Sequence, residues 1–584
     1  MIKYDYSIRE GCLVPKKASL EPRTSRINVK RSNGDTYVYE RIIKYNPEKR
    51  FNEVISSQLI GKIPAGKAEI STTRPRRGKS HAIQTASCKR VGVASILDWV
   101  GKESGVDQDL FEATDRATAE KILTIARFWI ANPGKTIPHI EEWQISHEIP
   151  YADGMSQDNC YLLMKTIGAD AELRQKFFKA RADRSPSKAS VAFDSTTVSS
   201  YSENQIEARY GYNKSGDGLK TVKLLTYYCL DTSQPVGYSR QPGNIPDVIS
   251  VINAGKQLSV LGMEKPLLVM DAGFYSEENM SILIHSHHKF LIAGKSGAVW
   301  IESLFEAHLQ SMQQLSNCCP FDTSIYGITV MSAHDFQWVR KRGRGDKTKG
   351  ETVTEEHRIY MHLFLNKAKA ECESATLAND IKAVQEKLKS GVEQMSSSEQ
   401  KIAEAYLVIR NTRGGLSVSF NEDAFKDAVR FAGCFVLISN SPMDPFYALQ
   451  TYRRREKIEE HFRADKQYAD GNRTRVWYPE SLNGRFFCQF VALCYHEYLH
   501  KAISSMKKAL AIKNGEHIHD KTQNLKAEKS LLDWLKGMSI ERLFSWFDCI
   551  EETKVDTNMG KRRWRTETIC RDRLFLAKLG VIGK

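Results

Sequence analysis

The chain has 584 residues, 41% of them hydrophobic and 27% charged, which is the balance of an ordinary globular protein and excludes a disordered or fibrous one. Its apolar runs, such as residues 431–439, fall far short of the roughly 20 residues that cross a bilayer. The start, Met1-Ile2-Lys3-Tyr4-Asp5-Tyr6, has no apolar stretch of signal-peptide length, so the expected location is cytoplasmic.

Lys and Arg number 85 against 70 Asp and Glu, and the resulting charge of +15 favours a polyanionic partner. The twelve cysteines form no C-x-x-C pair, and Cys318 and Cys319 are adjacent, so neither a zinc ribbon nor a disulfide scaffold is indicated.

In chain order, residues 1–82 carry charged turns and short β-like runs, with no assignable role, and end in the basic stretch Arg74-Pro75-Arg76-Arg77-Gly78-Lys79. Residues 83–188 have apolar positions at helical spacing, as in Ile122, Leu123, Ile125, Ala126 and Trp129. They predict a helical domain, serving either as a structural platform or as a module that binds DNA ends.

From 189 to 300 the pattern becomes α/β. Val191-Ala192-Phe193 is a short apolar run that stops on Asp194, and residues 222–230 and 236–238 read as a returning pair of strands. A turn at Pro242-Gly243-Asn244-Ile245-Pro246-Asp247 opens a helix. Leu267-Leu268-Val269-Met270 then reads as a strand buried on both faces, and it too stops on an acid, Asp271. A helix at 277–286 and a strand at 290–293 come next. Hairpin-linked strands succeeded by alternating helix and strand predict a ribonuclease-H-like mixed α/β sheet.

Residues 301–430 read as a β-rich and helical insertion. Two strands, 328–339 and 358–365, flank the loop from Arg340 to Gly350, with six bases to one acid, a tip suited to phosphates or to solvent. A second part of the catalytic domain, 431–510, begins with the buried strand 431–438. The rest, 511–584, is a basic tail including Lys561, Arg562, Arg563, Arg565, Arg571 and Arg573, a candidate dimerisation region.

The segment 448–468 reads as one helix. Tyr452, Arg455, Glu459 and Lys466 are spaced at steps of three, four and seven, which at 100° per residue places them within roughly 60° of one another. Arg463 lies about 40° further round. A phenol, a carboxylate and cations so aligned would be costly to bury unpaired, so the stripe is read as facing a polyanion, with a metal ion at the carboxylate. Asp194, Asp271 and Glu459 together would suit two divalent ions such as Mg2+, and two ions ~3.5–4 Å apart support an in-line phosphoryl displacement.

These residues resemble the DDE transposases of bacterial insertion sequences, in the group with a Tyr-x2-Arg-x3-Glu-x6-Lys signature, the insertion-sequence-four family. Tyr452, Arg455, Glu459 and Lys466 meet that spacing without gaps. Phe193-Asp194-Ser195-Thr196-Thr197 and Val269-Met270-Asp271-Ala272-Gly273-Phe274 resemble its two acidic blocks, and Pro242-Gly243-Asn244 with Asp247 its intervening turn; the similarity spans about residues 90–505.

The resemblance implies a ribonuclease-H-like catalytic domain with metal (Mg2+ or Mn2+, two ions) on Asp194, Asp271 and Glu459. It implies that Tyr452, Arg455 and Lys466 hold phosphates at the element's end, with Arg463 where a second basic contact is expected. Water would release a 3′-hydroxyl that then attacks, commonly through a hairpin, and joins target DNA. The partners implied are double-stranded DNA at inverted-repeat ends, target DNA and a second copy of the chain, in a nucleoid-associated setting. Trp300 and Trp338 are candidates for stacking a flipped base or for the core.

Three readings stay open: an active transposase, a DNA-binding descendant without catalysis, and a ribonuclease-H-like nuclease. Gly78-Lys79-Ser80 and Gly294-Lys295-Ser296 lack the earlier glycine of a phosphate-binding loop, having Thr73 and Lys289 instead. His285, His287 and His288 read as solvated histidines.

Overall fold

The computed structural model describes residues 21–71, 83–263, 265–295, 297–340, 350–390, 394–412, 415–516, 523–557 and 560–582. The basic segment 74–79, the hairpin tip 341–349, and Ser80 and Ser296 of the two Gly-Lys-Ser motifs lie outside them. The chain divides into two compact units, Met1–Ser87 with Lys554–Arg563, and Cys88–Thr553 with Trp564–Lys584.

In the first unit, β1 (Arg23–Lys30), β2 (Thr36–Asn46) and β3 (Phe51–Ile63) form an antiparallel sheet in sequence order. Register shifts at Val38/Tyr39 and Ile42/Ile43 bend the middle strand.

The strand β4 (Ile83–Arg90) precedes six helices of the second unit: α1 (Gly92–Ser104), α2 (Val106–Ala113), α3 (Arg116–Ala131), α4 (Ile140–Ser146), α5 (Gln157–Ala169) and α6 (Ala171–Asp183). These helices differ from a separate helical domain in one respect. Their buried residues share a single core with the 38-residue α15 (Pro479–Glu516) and with α16 (Gln523–Lys536), α17 (Ile540–Phe547) and α18 (Cys570–Leu579).

Two glycines make this possible. A Cβ on Gly484 would stand 1.8 Å from the Met164 carbonyl oxygen, and one on Gly168 would stand 1.7 Å from that of Glu480, so α5 and α15 cross backbone to backbone. Arg571, read as part of a basic tail, instead lies over the rings of Trp534 and Trp546 at 4.4 and 5.0 Å.

The rest of the second unit is built on a mixed α/β layer. Its strands are β5 (Ser190–Ser200), β6 (Lys220–Cys229), β7 (Gln234–Pro242), β8 (Leu267–Met270), β9 (Lys289–Ala293), β10 (Cys318–Cys319), β11 (Asp322–Val339), β12 (Thr352–Asn366) and, after a hairpin of β13 (Leu407–Thr412) and β14 (Gly415–Phe420), β15 (Cys434–Ser439). Nine of them form one sheet in the order β10-β11-β12-β15-β9-β8-β5-β6-β7. β5 pairs in parallel with β8, and β8 with β9; the other pairs are antiparallel.

The long strands β11 and β12, expected in an insertion, extend this sheet through the pairing of Tyr360 with Ser439 and Leu363 with Val436. The excursion proper begins after β12 and comprises α10 (Lys367–Lys389), α11 (Ser397–Tyr406), the β13–β14 hairpin and α12 (Glu422–Val429), with a small core of Ile381, Val384, Ala403, Leu407 and Val418.

The continuously apolar strands are covered on both faces, as a mixed sheet requires. Phe193, Met270, Ile292 and Ile438 pack against α7 (Asp247–Val260), α8 (Glu277–His285) and α9 (Val299–Met312). Ala192, Val269, Leu291 and Leu437 face the other way, against α13 (Pro445–Arg453) and α14 (Glu456–Tyr468). No helix among the described residues is long and apolar enough to cross a membrane.

Candidate active site

Sheet register brings the first two acids together. The last parallel pair between β5 and β8 is Phe193 with Met270. Asp194 and Asp271 are the next residues, so they stand side by side at about one strand spacing, ~4.8 Å. Pleating decides the face: Asp194 shares the side of Ala192, two residues earlier, which is the side covered by α13 and α14. β8 ends one residue before Asp271, whose Oδ1 accepts from the Ala272 N–H at 2.7 Å and caps a short 3₁₀ turn. Phe274, on that turn, packs its ring 5.1 Å from Phe193 and fixes the strand end.

The glutamate helix is not continuous. Between α13 and α14, Arg455 N–H bonds to the Tyr452 carbonyl, Lys457 to Arg454 and Ile458 to Arg455, all over three residues instead of four. The physical reason is that consecutive arginines are drawn to opposite sides. Arg454 donates to the Leu230 carbonyl at 2.6 Å and to Asp231 at 2.9 Å, while Arg455 donates to Asp194. A 3₁₀ step nearly eclipses side chains three apart. Tyr452 and Arg455 therefore point the same way, with the guanidinium 5.5 Å from the phenol ring centre.

The three acids are linked through these two residues. Tyr452 Oη donates to Asp271 Oδ1 at 3.3 Å; Arg455 Nη1 donates to Asp194 Oδ2 at 3.2 Å and Nη2 to Glu459 Oε1 at 2.8 Å. The Asp194 and Arg455 side chains are each 12% exposed, and that of Glu459 is 49% exposed, so the cluster opens to solvent on the Glu459 side.

Burial pushes the Asp194 carboxyl above its ordinary value; Lys214, the Ser195 N–H and Arg455 oppose the shift, and the neighbouring Asp271 charge adds to it. Burial likewise pushes the Tyr452 phenol up to about 12, keeping it a neutral donor. Against its own desolvation, Arg455 is held charged by the carboxylates of Asp271, Asp194 and Glu459. Its Nε is buried without a hydrogen-bond partner.

Three hard carboxylate oxygen donors, with Asp194 desolvated beside a second acid, fit a divalent cation of the magnesium class. Within the chain itself, Arg455 supplies the positive charge between Asp194 and Glu459.

Supporting residues lie around the centre. The Pro-Gly-Asn turn reaches the Asp194 strand through Asp247, whose Oδ1 accepts from Ser195 Oγ at 2.8 Å and from Lys223 Nζ at 2.7 Å. A Cβ on Gly243 would stand 2.1 Å from the Thr221 carbonyl oxygen, which explains the glycine. Lys214 Nζ donates to the Ser195 carbonyl at 2.6 Å. Nothing in the spacing of Lys214 and Lys223 ties them to the motifs, so the sequence does not mark either one.

The back of α14 is clamped. His461 and Phe462 are buried. Glu497 on α15 accepts from Tyr228 Oη at 3.1 Å and lies 3.5 Å from His461 Nδ1. Although burial alone would raise the Glu497 carboxyl, the imidazoles of His461 and His496 beside it, at 3.5 and 3.7 Å, hold it at about 2.

The structure does not bring every expected contact to this centre. Lys466 lies half-buried near the end of α14. Arg463 is exposed and lines a different cavity, of about 280 Å3, between α14 and α15–α17, with Glu460, His496 and His500. The packing of α15–α17 places it on that side of α14. Trp300 stacks on His334 at 4.1 Å, and both Trp300 and Trp338 pack against the core on the sheet face opposite the three acids.

Fold and site together define an α/β protein in which one carboxylate inside a strand, one just past the end of its parallel neighbour and one on a helix are gathered in a single cluster. Residues 186–495 match the family model for the transposase DDE domain, and because this is more than half of the 584 residues, the protein belongs to that family of DNA transposases. Among solved structures, a piggyBac transposase synaptic complex with hairpin DNA aligns over 78% of this chain and 78% of that one, at 10% identity and a TM-score of 0.34. Among curated proteins none matches the sequence.

Proposed function

We propose that this DDE transposase belongs to the insertion-sequence-four group, that its sheet is ribonuclease-H-like, and that it cuts the inverted-repeat ends of an insertion sequence and joins them to target DNA. The observation that carries the reading is the meeting of Asp194, Asp271 and Glu459 around Tyr452 and Arg455. The order β7-β6-β5-β8-β9, with its parallel β5–β8–β9 core, supports the fold assignment.

Asp194, Asp271 and Glu459 are the catalytic residues and would hold two Mg2+ or Mn2+ ions. When bound, such ions supply Lewis-acid activation of the attacking oxygen and charge stabilisation of the leaving one. Asp271 is oriented by the Ala272 N–H and by Tyr452 Oη. Arg455 exchanges its carboxylate partners for phosphate oxygens when DNA enters, a fork geometry suited to both. Lys466 contacts a phosphate further along the strand, and Arg463, beyond the edge of the stripe, a more distant one. Water attacks phosphorus in line, the bond to the 3′ oxygen breaks, and the freed 3′-hydroxyl is the nucleophile for hairpin formation or strand transfer. The enzyme works as a homodimer on paired ends.

The test is incubation of the purified protein with DNA carrying the gene-flanking ends plus Mg2+ or Mn2+. End-specific nicking followed by strand transfer is expected. Cutting with no preference for those ends would support a nuclease instead, and binding without cutting an inactive descendant.

A further inference from the structure

On the sheet face opposite the three acids, a second group of chemistry-bearing side chains converges. Helix α8 presents Ser281 and His285, four residues apart and so on one side of the helix. Strand β12 presents Glu355 and His357, two apart and so on one side of the strand, with the parity of Ile359 and Met361, which pack in the core beneath α8 and α9.

His285 Nε2 lies 2.8 Å and His357 Nε2 3.2 Å from the same oxygen, Oε2 of Glu355. Ser281 Oγ hydrogen-bonds that oxygen and lies 3.0 Å from His357 Nε2. Among the described residues this is the group of His, Cys, Asp and Glu whose ligand atoms all fall within 4.8 Å of one another.

We propose that His285, Glu355 and His357 bind one transition-metal ion of the zinc class, tying α8 to the long strand that carries the β11–β12 hairpin. Two imidazoles and a carboxylate suit zinc and its neighbours and are poor for magnesium, which prefers all-oxygen sets. Zinc bonds of 2.0–2.2 Å in a tetrahedron set ligand atoms about 3.4 Å apart, close to the 3.2 Å of His357 from the carboxylate and reached from the 2.8 Å of the exposed His285 by a sub-ångström movement of its ring. Ser281 sits where it can hold a water in the fourth position.

An ion here replaces a crowded arrangement in which two ring nitrogens compete for one carboxylate oxygen. Strand register supplies rigidity, since His357 pairs across β11 with His334, which is itself stacked on Trp300. Neither the cleavage reading nor any DNA contact is needed for this site.

The test uses the full chain with Asp194→Asn and Asp271→Asn, which removes the other carboxylate centre, stripped with chelator and titrated with Co2+ in the absence of DNA. One equivalent should bind with the visible absorption of a tetrahedral nitrogen and oxygen site, and Zn2+ should displace it. Adding His285→Ala, on an exposed ring, or the nearly isosteric Glu355→Gln should lower bound metal at least tenfold while circular dichroism stays unchanged. Absence of the absorption in the parent chain, or its persistence in both added variants, would overturn the proposal.

Discussion

Two clusters in this protein are built from the same residue types and behave differently. In the helical bundle, Asp109 is engaged on both oxygens, by Arg181 at 3.1 Å and by Arg184 at 2.6–2.9 Å, and the Asp109 and Arg181 side chains are each 3% exposed. Over the interior strands β5 and β8, Arg455 is shared between Asp194 and Glu459, and the Glu459 side is open. The first cluster is closed and holds α2 to α6. The second leaves the Glu459 carboxylate facing solvent while Asp194 stays buried beside Asp271, where an acid desolvated next to another acid is unfavourable unless a ligand compensates. One carboxylate with two arginines makes a closed scaffold, whereas carboxylates outnumbering one arginine leave a cluster that the protein itself does not complete.

That contrast is broken or sharpened by a short series of substitutions. The largest effect is expected for Asp271→Asn, which should abolish nicking and strand transfer, on the order of 1,000-fold or more in rate, with DNA binding by mobility shift retained. Activity equal to the parent protein would remove Asp271 from the centre. Next, Asp109→Asn should lower stability by about 3–5 kcal/mol in denaturant titration, because it strands buried arginine charge.

Asp194→Asn should not lower stability at pH 7. Burial raises the folded carboxyl above its unfolded value of 3.8, so the stability this group contributes is present below pH 3.8 and lost as pH rises through the folded value. A large loss of stability in Asp194→Asn would erase the distinction between the two clusters.

Glu497→Gln tests the clamp behind α14 and should cost about 1–3 kcal/mol at pH 7. The sign here is the reverse. The folded carboxyl sits at about 2, below its ordinary 4.5, so its contribution is present above 4.5 and the gap to the parent should close as pH falls toward 2. Thermal midpoints measured across that range check it. The smallest effect is that of Lys466→Ala, for which binding to cleaved ends should weaken by roughly 1 kcal/mol and the slope of log affinity against log salt should fall by about 1. An unchanged slope would contradict a phosphate contact.

Much of the centre is legible in the sequence because it is encoded locally. The apolar run that stops on Asp271 marks the end of β8, whereas the run that stops on Asp194 is only the first part of β5, which continues as a buried polar strand to Ser200; the spacing of Tyr452, Arg455 and Glu459 survives as a shared stripe even though the helix breaks at Arg454 and Arg455. The break is not legible, since it arises from Leu230, Asp231 and Asp194, all more than 200 residues away. Arg463 shows the reverse failure: a 40° offset on a helical wheel looks adjacent, and only the packing of α15–α17 shows which side it faces. His285 reads as solvated because its partners lie 70 or more residues further along.

By itself the sequence determined what depends on neighbours along the chain: the uninterrupted apolar runs that start β5 and make β8, the Pro-Gly-Asn turn, and the order of acids that marks the family. Tertiary structure alone decided which of these meet. Register sets Asp194 beside Asp271, pleat parity sends the acids to one face and Glu355 with His357 to the other, and α15 joins helices from both ends of the second unit into one core. The reason is that strand register and helix crossing are fixed by burial and close packing between distant segments, which no local period records.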